Sequence, residues 1–150
     1  MRPILDFTAS GKRIRALAAW WGFEIAGGSA ETHPGIANAA AAVELLHAAA
    51  LIHDDVIDAS DTRRGAPSVH RQFEALHRND GFAGDSEHFG IATAIVAGDL
   101  CLALSEEFWS MAGLPDATSP AALEARNDLR RDVMFGQFLD IYVPVSYTHL

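Results

Sequence analysis

A single cysteine in 150 residues excludes an internal disulfide, and Cys101 sits in an apolar run where it reads as core packing. An oxidising compartment is therefore not indicated. No segment reaches the roughly 18 consecutive apolar residues of a membrane span, and the start MRPILDFTASGKR lacks the long apolar region of a signal peptide. The expected location is the cytoplasm. Basic residues are also scarce: 11 Lys and Arg stand against 20 Asp and Glu, and a net charge of −9 argues against general affinity for nucleic acid. Strand-like alternation and internal repeats are absent from the pattern.

What is present is a chain that is 49% hydrophobic, long enough for one domain with a core, and patterned throughout for helices. The expected fold class is all-α. Residues 1–10 carry little pattern beyond Pro3 and read as a lead-in. From Gly11 a helix runs with Ile14, Leu17, Ala18, Trp21 and Ile25 at helical intervals, stopped by Gly27 and Gly28. Lys12, Arg13 and Arg15 fall in its first turn, where an anion would meet fixed charge, free amides and the helix dipole. Thr32 or His33, with Pro34 behind, marks the start of a second helix that runs to about Ala59.

A loop over residues 60–67 carries Arg63 and Arg64; a short helix over 69–77 and a polar loop over 79–84 follow. The stretch SEHFGIATAIVAGDLCLALSEEFWSMAG reads as a long core helix ending at Gly113 and Pro115, with Asp99 the one unexpected residue. Thr118 or Ser119, backed by Pro120, opens a last helix through Leu129 and Phe135 toward Ile141, closed by Pro144. Its charges at Glu124, Arg126, Asp128, Arg130 and Arg131 read as a solvated face.

The informative stretch is residues 45–65, LLHAAALIHDDVIDASDTRRG. Asp54, Asp55 and Asp58 end an apolar helix, where carboxylates need a cation, a hydrogen-bond network or water in compensation. Ala40, His47, Asp54 and Asp58 share one side of that helix, while Leu45, Ala49, Ile52 and Val56 fall elsewhere and are free to pack. Carboxylates one turn apart lie about 6 Å from each other and can share a ligand if a cation relieves their repulsion. Oxygen donors of this kind suit Mg²⁺, which completes its shell with water and substrate phosphates, so a diphosphate or triphosphate substrate is expected. His47 and His53 are six residues apart, a spacing that does not put two imidazoles on one face for a transition metal. The two local basic clusters suit a small anionic ligand. Near the end of the last helix, Gln137 and Asp140 lie three residues apart on one side.

GKRIR at 11–15, HAAALIHDDVIDASDTRRG at 47–65, AGDLCLA around Asp99 and GQFLD at 136–140 resemble, in order and spacing, the amino-terminal half of trans-isoprenyl diphosphate synthases. The resemblance covers nearly all of residues 10–141. It implies part of an isoprenoid-synthase helical bundle and an enzyme that condenses isopentenyl diphosphate with an allylic diphosphate. In that family Asp54 and Asp58, with Asp55 beside them, would bind the Mg²⁺ ions that hold the allylic diphosphate, and Arg63 would contact the same group. Lys12, Arg15, His47 and Arg64 match positions that hold the diphosphate of isopentenyl diphosphate, and Arg13 falls inside the same motif at a position where the family varies. Gln137 and Asp140 match a motif that lines the allylic site. The departing diphosphate itself is the expected proton acceptor, and a homodimer is implied for the complete enzyme.

The sequence also departs from the family. Nothing after Asp140 supplies its second aspartate-rich motif, residues 142–150 read as a candidate foreign tail, only ten residues precede Gly11, and Ala16 stands where proline is usual. The expectation is a truncated single domain that lacks prenyl transfer on its own. The competing readings are a class I terpene cyclase, which has no site for a second diphosphate, and a non-catalytic subunit that modulates a complete synthase. On the aspartate-bearing helix, an aromatic four or five positions before the first aspartate closes the product tunnel in the family. Here those positions are Ala50 and Ala49, with Leu46 a turn further back, so products of geranylgeranyl length or longer are expected. Ala49→Phe in a complete enzyme should shorten the product; an unchanged chain-length distribution would overturn this.

Overall fold

In the computed structural model, residues 2–9, 11–114 and 119–146 are described, and they form six helices and one two-residue ladder. They divide into two compact units, residues 1–113 and 114–150. The first holds α1 (Arg2–Ala9), α2 (Ile14–Ile25), α3 (Ile36–Ile57), β1 (Thr62–Arg63), β2 (Ala66–Pro67), α4 (Val69–Asn79) and α5 (Ser86–Ser110); α6 (Pro120–Ser146) belongs to the second. Pro115, Thr118 and residues 147–150 lie outside the described residues.

The core forms where α3, α4 and α5 meet. Along α5 the buried residues are Gly90, Ala94, Ala97, Gly98, Cys101 and Ser105, a stripe of small side chains at helical spacing that lets neighbouring backbones approach closely. A Cβ on Gly98 would fall inside the His53 ring of α3, and one on Gly90 would strike the His70 carbonyl of α4. Into this surface α3 packs Ala48, Ala49 and Ile52, and α4 packs Val69 and Phe73. Fully burying an Ile or Phe side chain contributes about 1.5–3 kcal/mol, so this cluster accounts for much of the unit's cohesion. By length and composition α3 and α5 could each cross a membrane, but here they pack on one another as core helices.

Several boundaries follow local chemistry. Asp85 caps α5 by accepting from the amides of Glu87 and His88, at 2.9 and 3.2 Å. Ser119 caps α6, accepting from the Ala122 amide, with Pro120 as the first helical residue. Four readings of the sequence need correction. Residues 2–9 form α1, whose Ile4 and Phe7 are buried in the core. Gly35, not Thr32 or His33, stands at the α3 N-cap. Pro144 lies inside α6, not past its end. The apolar stripe of α2 faces outward: Ile14, Leu17, Trp21 and Ile25 are exposed, while Ala16, Trp20 and Phe23 are the half-buried side.

The end of α3 is a Schellman motif. Ser60 N–H bonds the Asp55 carbonyl at 2.9 Å, and Ala59 N–H bonds the Val56 carbonyl at 3.3 Å. The residue between is Ala59, in the left-handed region at φ 51°, where glycine is the unstrained choice. Ala59→Gly should therefore stabilise the protein by about 1 kcal/mol, the left-handed penalty less the added unfolded-state entropy. Urea denaturation should show a higher midpoint for the variant.

Candidate active site

The acidic end of α3 is organised by Arg63. Its Nε donates to Asp55 Oδ1 at 2.7 Å and its Nη2 to Asp54 Oδ2 at 2.8 Å. Asp55 is fully buried and its Oδ2 has no hydrogen-bond partner among the described residues. The hydrogen bond to Asp55, ahead of that to Asp54, raises the Arg63 pKa above its ordinary value, so the guanidinium is a permanent cation. Asp54 retains partial exposure, and Asp58, the C-cap one turn on, is exposed.

Arg63 reaches these carboxylates because the loop is a hairpin, a ladder the sequence pattern did not announce. Thr62 pairs with Pro67 and Arg63 with Ala66, leaving Arg64 and Gly65 as the central pair with φ 56° and 79°. Positive φ at both positions defines a type I′ turn. The loop is pinned to α4: Ser68 N–H bonds the Asp61 carbonyl at 2.9 Å, Arg71 Nε bonds Asp61 Oδ1 at 2.7 Å, and Gln72 Nε2 bonds the Pro67 carbonyl at 2.7 Å. Arg71 also bonds Glu74, and that hydrogen bond is the main reason the Glu74 carboxyl lies below its usual range.

Two turns earlier on α3 lies a basic pole. Arg15 Nη1 is 3.0 Å from His47 Nε2, and burial, followed by the Arg15 charge, lowers the His47 pKa. His47 is then neutral at pH 7 and accepts from Arg15 on Nε2, leaving its proton on Nδ1. Arg64 stacks over the Phe7 ring at 5.4 Å and lies so close to Gly11 that a Cβ there would sit 2.7 Å from its Nη1. Lys12 is exposed. Arg13 does not join this pole: it pairs with Glu44 and donates to the Thr8 carbonyl. Glu44 was missed in the sequence, although a lone acid within the run from Ala39 to Ile52 was a signal. A cavity of about 490 Å³ opens beside the basic pole, walled by Phe7, Trp20, Leu45, Ala48 and Phe108, with His47 and Arg64 among its polar groups.

The structure thus brings Asp54, Asp55 and Arg63 together, and separately Arg15 and His47. Gln137 is half-buried and Asp140 exposed on α6, in the second unit. Of the tunnel positions, Leu46 and Ala49 are buried, Ala49 within the core cluster, so a larger side chain at 49 meets packed atoms; Ala50 is half-buried. Asp99 is exposed, 3.6 Å from the His53 ring. Among the described residues no three His, Cys, Asp or Glu side chains converge on one point. The donor set fits Mg²⁺ nonetheless, because Asp54 and Asp58 offer hard oxygens one turn apart with solvent access, and that ion takes few protein ligands. Asp55 offers it no open oxygen.

The helices, with α3 ending in clustered aspartates and followed by an Arg-Arg-Gly hairpin, have the all-α fold of the isoprenoid-synthase class. The polyprenyl synthetase family matches residues 2–149, and the chain belongs to that family. It is 39% identical over 117 residues to a short chain isoprenyl diphosphate synthase of Methanothermobacter thermautotrophicus, covering 66% of this chain and 33% of the relative. It is 32% identical over 133 residues to a geranylgeranyl pyrophosphate synthase of Geoglobus acetivorans, covering 89% and 36%. A crystal structure of geranylgeranyl pyrophosphate synthase from Corynebacterium glutamicum, complexed with isoprenyl diphosphate and magnesium, superposes with TM-score 0.87 at 42% identity, over 97% of this chain and 42% of that one. The chain spans about a third of the length of the curated relatives it matches.

The state of His47 has a pH signature. Its folded pKa lies below the unfolded value near 6.5, so its stability contribution is complete above pH 6.5 and is lost as pH falls through the folded pKa. His47→Gln should lose less stability than wild type between pH 7 and pH 5.5, as read by urea denaturation at each pH.

Proposed function

We propose that this chain is part of an enzyme that condenses isopentenyl diphosphate with an allylic diphosphate to give isoprenyl diphosphates of geranylgeranyl length or longer. The observation that supports it is the division of α3 into two anion-handling poles: Asp54, Asp58 and Arg63 at its end, and His47 with Arg15 two turns earlier, about 10 Å along the axis. Two diphosphates with opposite fates need such a separation.

Asp54 and Asp58 would hold Mg²⁺, which when bound supplies charge compensation for a departing diphosphate. Arg63 adds a permanent cation to the same leaving group, and Asp55 fixes its direction. The other diphosphate must stay on its carbon chain, and Lys12, Arg15, His47 and Arg64 hold it without metal. Gln137 and Asp140 are assigned to the allylic substrate by the same reading, and Ala50 to the tunnel. Dimerisation of the complete enzyme and a cytoplasmic location belong to this reading.

Titration calorimetry on the purified chain tests the division. Asp54→Asn and Asp58→Asn should weaken Mg²⁺-dependent binding of geranyl diphosphate by roughly tenfold or more while metal-free binding of isopentenyl diphosphate persists, and Arg15→Gln should do the reverse. Parallel loss of both ligands in every variant, or no binding by wild type, would overturn the proposal.

A further inference from the structure

We propose that Glu44 is a positioning residue of the isopentenyl diphosphate subsite: it withdraws Arg13 from the basic cluster and ties the first turn of α2 to α3, so that Arg15 meets His47. The proposal rests on the function given above.

The start of α2 lacks a cap of its own. Arg13 occupies the N-cap in the left-handed region, φ 54° and ψ 30°, and its own side chain does not cap the amides that follow. The cap comes from another helix: Glu44 Oε1 accepts from the Ala16 amide at 3.0 Å. Its other oxygen lies 3.7 Å from Arg13 Nη1, and the carboxylate is only 13% exposed. The second Arg13 nitrogen donates to the Thr8 carbonyl of α1. Arg13 still lines the cavity and is partly exposed, but its guanidinium is engaged by Glu44 and the Thr8 carbonyl, and an amide that a ligand anion would otherwise meet at this helix end is already filled.

His47 follows Glu44 by three residues, on the same side of α3. Two bridges then link α2 and α3 one turn apart, Ala16 to Glu44 and Arg15 to His47. Both Glu44 and His47 line the cavity that also holds Arg64. Without Glu44 the turn loses the inter-helix cap that sits next to Arg15, and three cations crowd one helix end. With it, Arg15 is held against a neutral imidazole and Lys12 stays exposed. The negative charge of Glu44 also opposes the fall of the His47 pKa, which gives a direct reporter.

The test compares Glu44→Ala with Glu44→Gln, which keeps an oxygen for the Ala16 amide but loses the charge. Isopentenyl diphosphate is titrated calorimetrically without metal, and the His47 ring resonance is followed by NMR against pH. Glu44→Ala should weaken binding roughly tenfold and Glu44→Gln by about threefold, with helical circular dichroism retained. The His47 midpoint should fall in Glu44→Gln. Wild-type affinity in Glu44→Ala, an unmoved His47 midpoint, or equal loss of helix in both variants overturns the positioning role alone. A wild-type chain that binds no isopentenyl diphosphate overturns the functional reading and this proposal with it.

Discussion

A carboxylate with no exposure at the end of a helix is doubly unfavourable, and Asp55 is that carboxylate. Burial removes its hydration, and the C-terminal end of α3 adds the negative pole of the helix dipole. Arg63 is the cation that makes the arrangement stable, and breaking such a buried pair leaves a charge whose cost is about 3–5 kcal/mol. The rest of the site follows from that requirement. Arg63 can reach back only if the chain reverses over the few residues after α3, and the hairpin that begins there holds it in place, with its left-handed Arg64 anchored on both sides. Asp61, Ser68 and Arg71 supply the anchor on α4, and Phe7 and Gly11 receive the Arg64 guanidinium on the other side. A substitution in α4 can thus disturb the site without touching a ligand.

The same electrostatics separates the two poles. At the end of α3, three aspartates and the helix dipole sum to a negative field that one arginine does not cancel, which is the environment a divalent cation seeks. At the start of α2 the dipole has the opposite sign and basic residues dominate. One internal acid there, Glu44, offsets part of that charge by pairing with Arg13. The two ends thus carry fields of opposite origin, which is the physical basis of the division proposed above.

How much of this was legible in the sequence depended on distance along the chain. The aspartates and the two arginines lie within a dozen residues, so their grouping was visible before any fold was known. The long helices α3 and α5 were legible too, because apolar periodicity over more than twenty residues admits little else. By contrast α1 offers two turns, and only Ile4 and Phe7 reveal its buried side once neighbours exist. The hairpin gave no signal, since two-residue strands cannot alternate and Arg-Gly is an unusual pair for its turn. The end of α3 was read to within two residues, but its left-handed closure was not, because Ala59 stands where a glycine would have marked it. Glu44 contacts Ala16 across 28 residues, a pairing that only the packing of α2 on α3 creates.

The alanines before the aspartates separate two causes that a sequence cannot distinguish. Small residues can be required by close helix packing or by space kept open for a ligand. Ala49 is wholly enclosed with Ala94, Ala97 and Cys101, where α5 lies close enough that Gly98 admits no Cβ beside His53. Packing alone is a sufficient reason for alanine at 49, and an aromatic there would have to push the two helices apart before it could narrow any tunnel. No such reason applies to Ala50, which is half-buried and outside that cluster. If chain length is read on this helix, position 50 is where a larger side chain would act on the product without first acting on the fold.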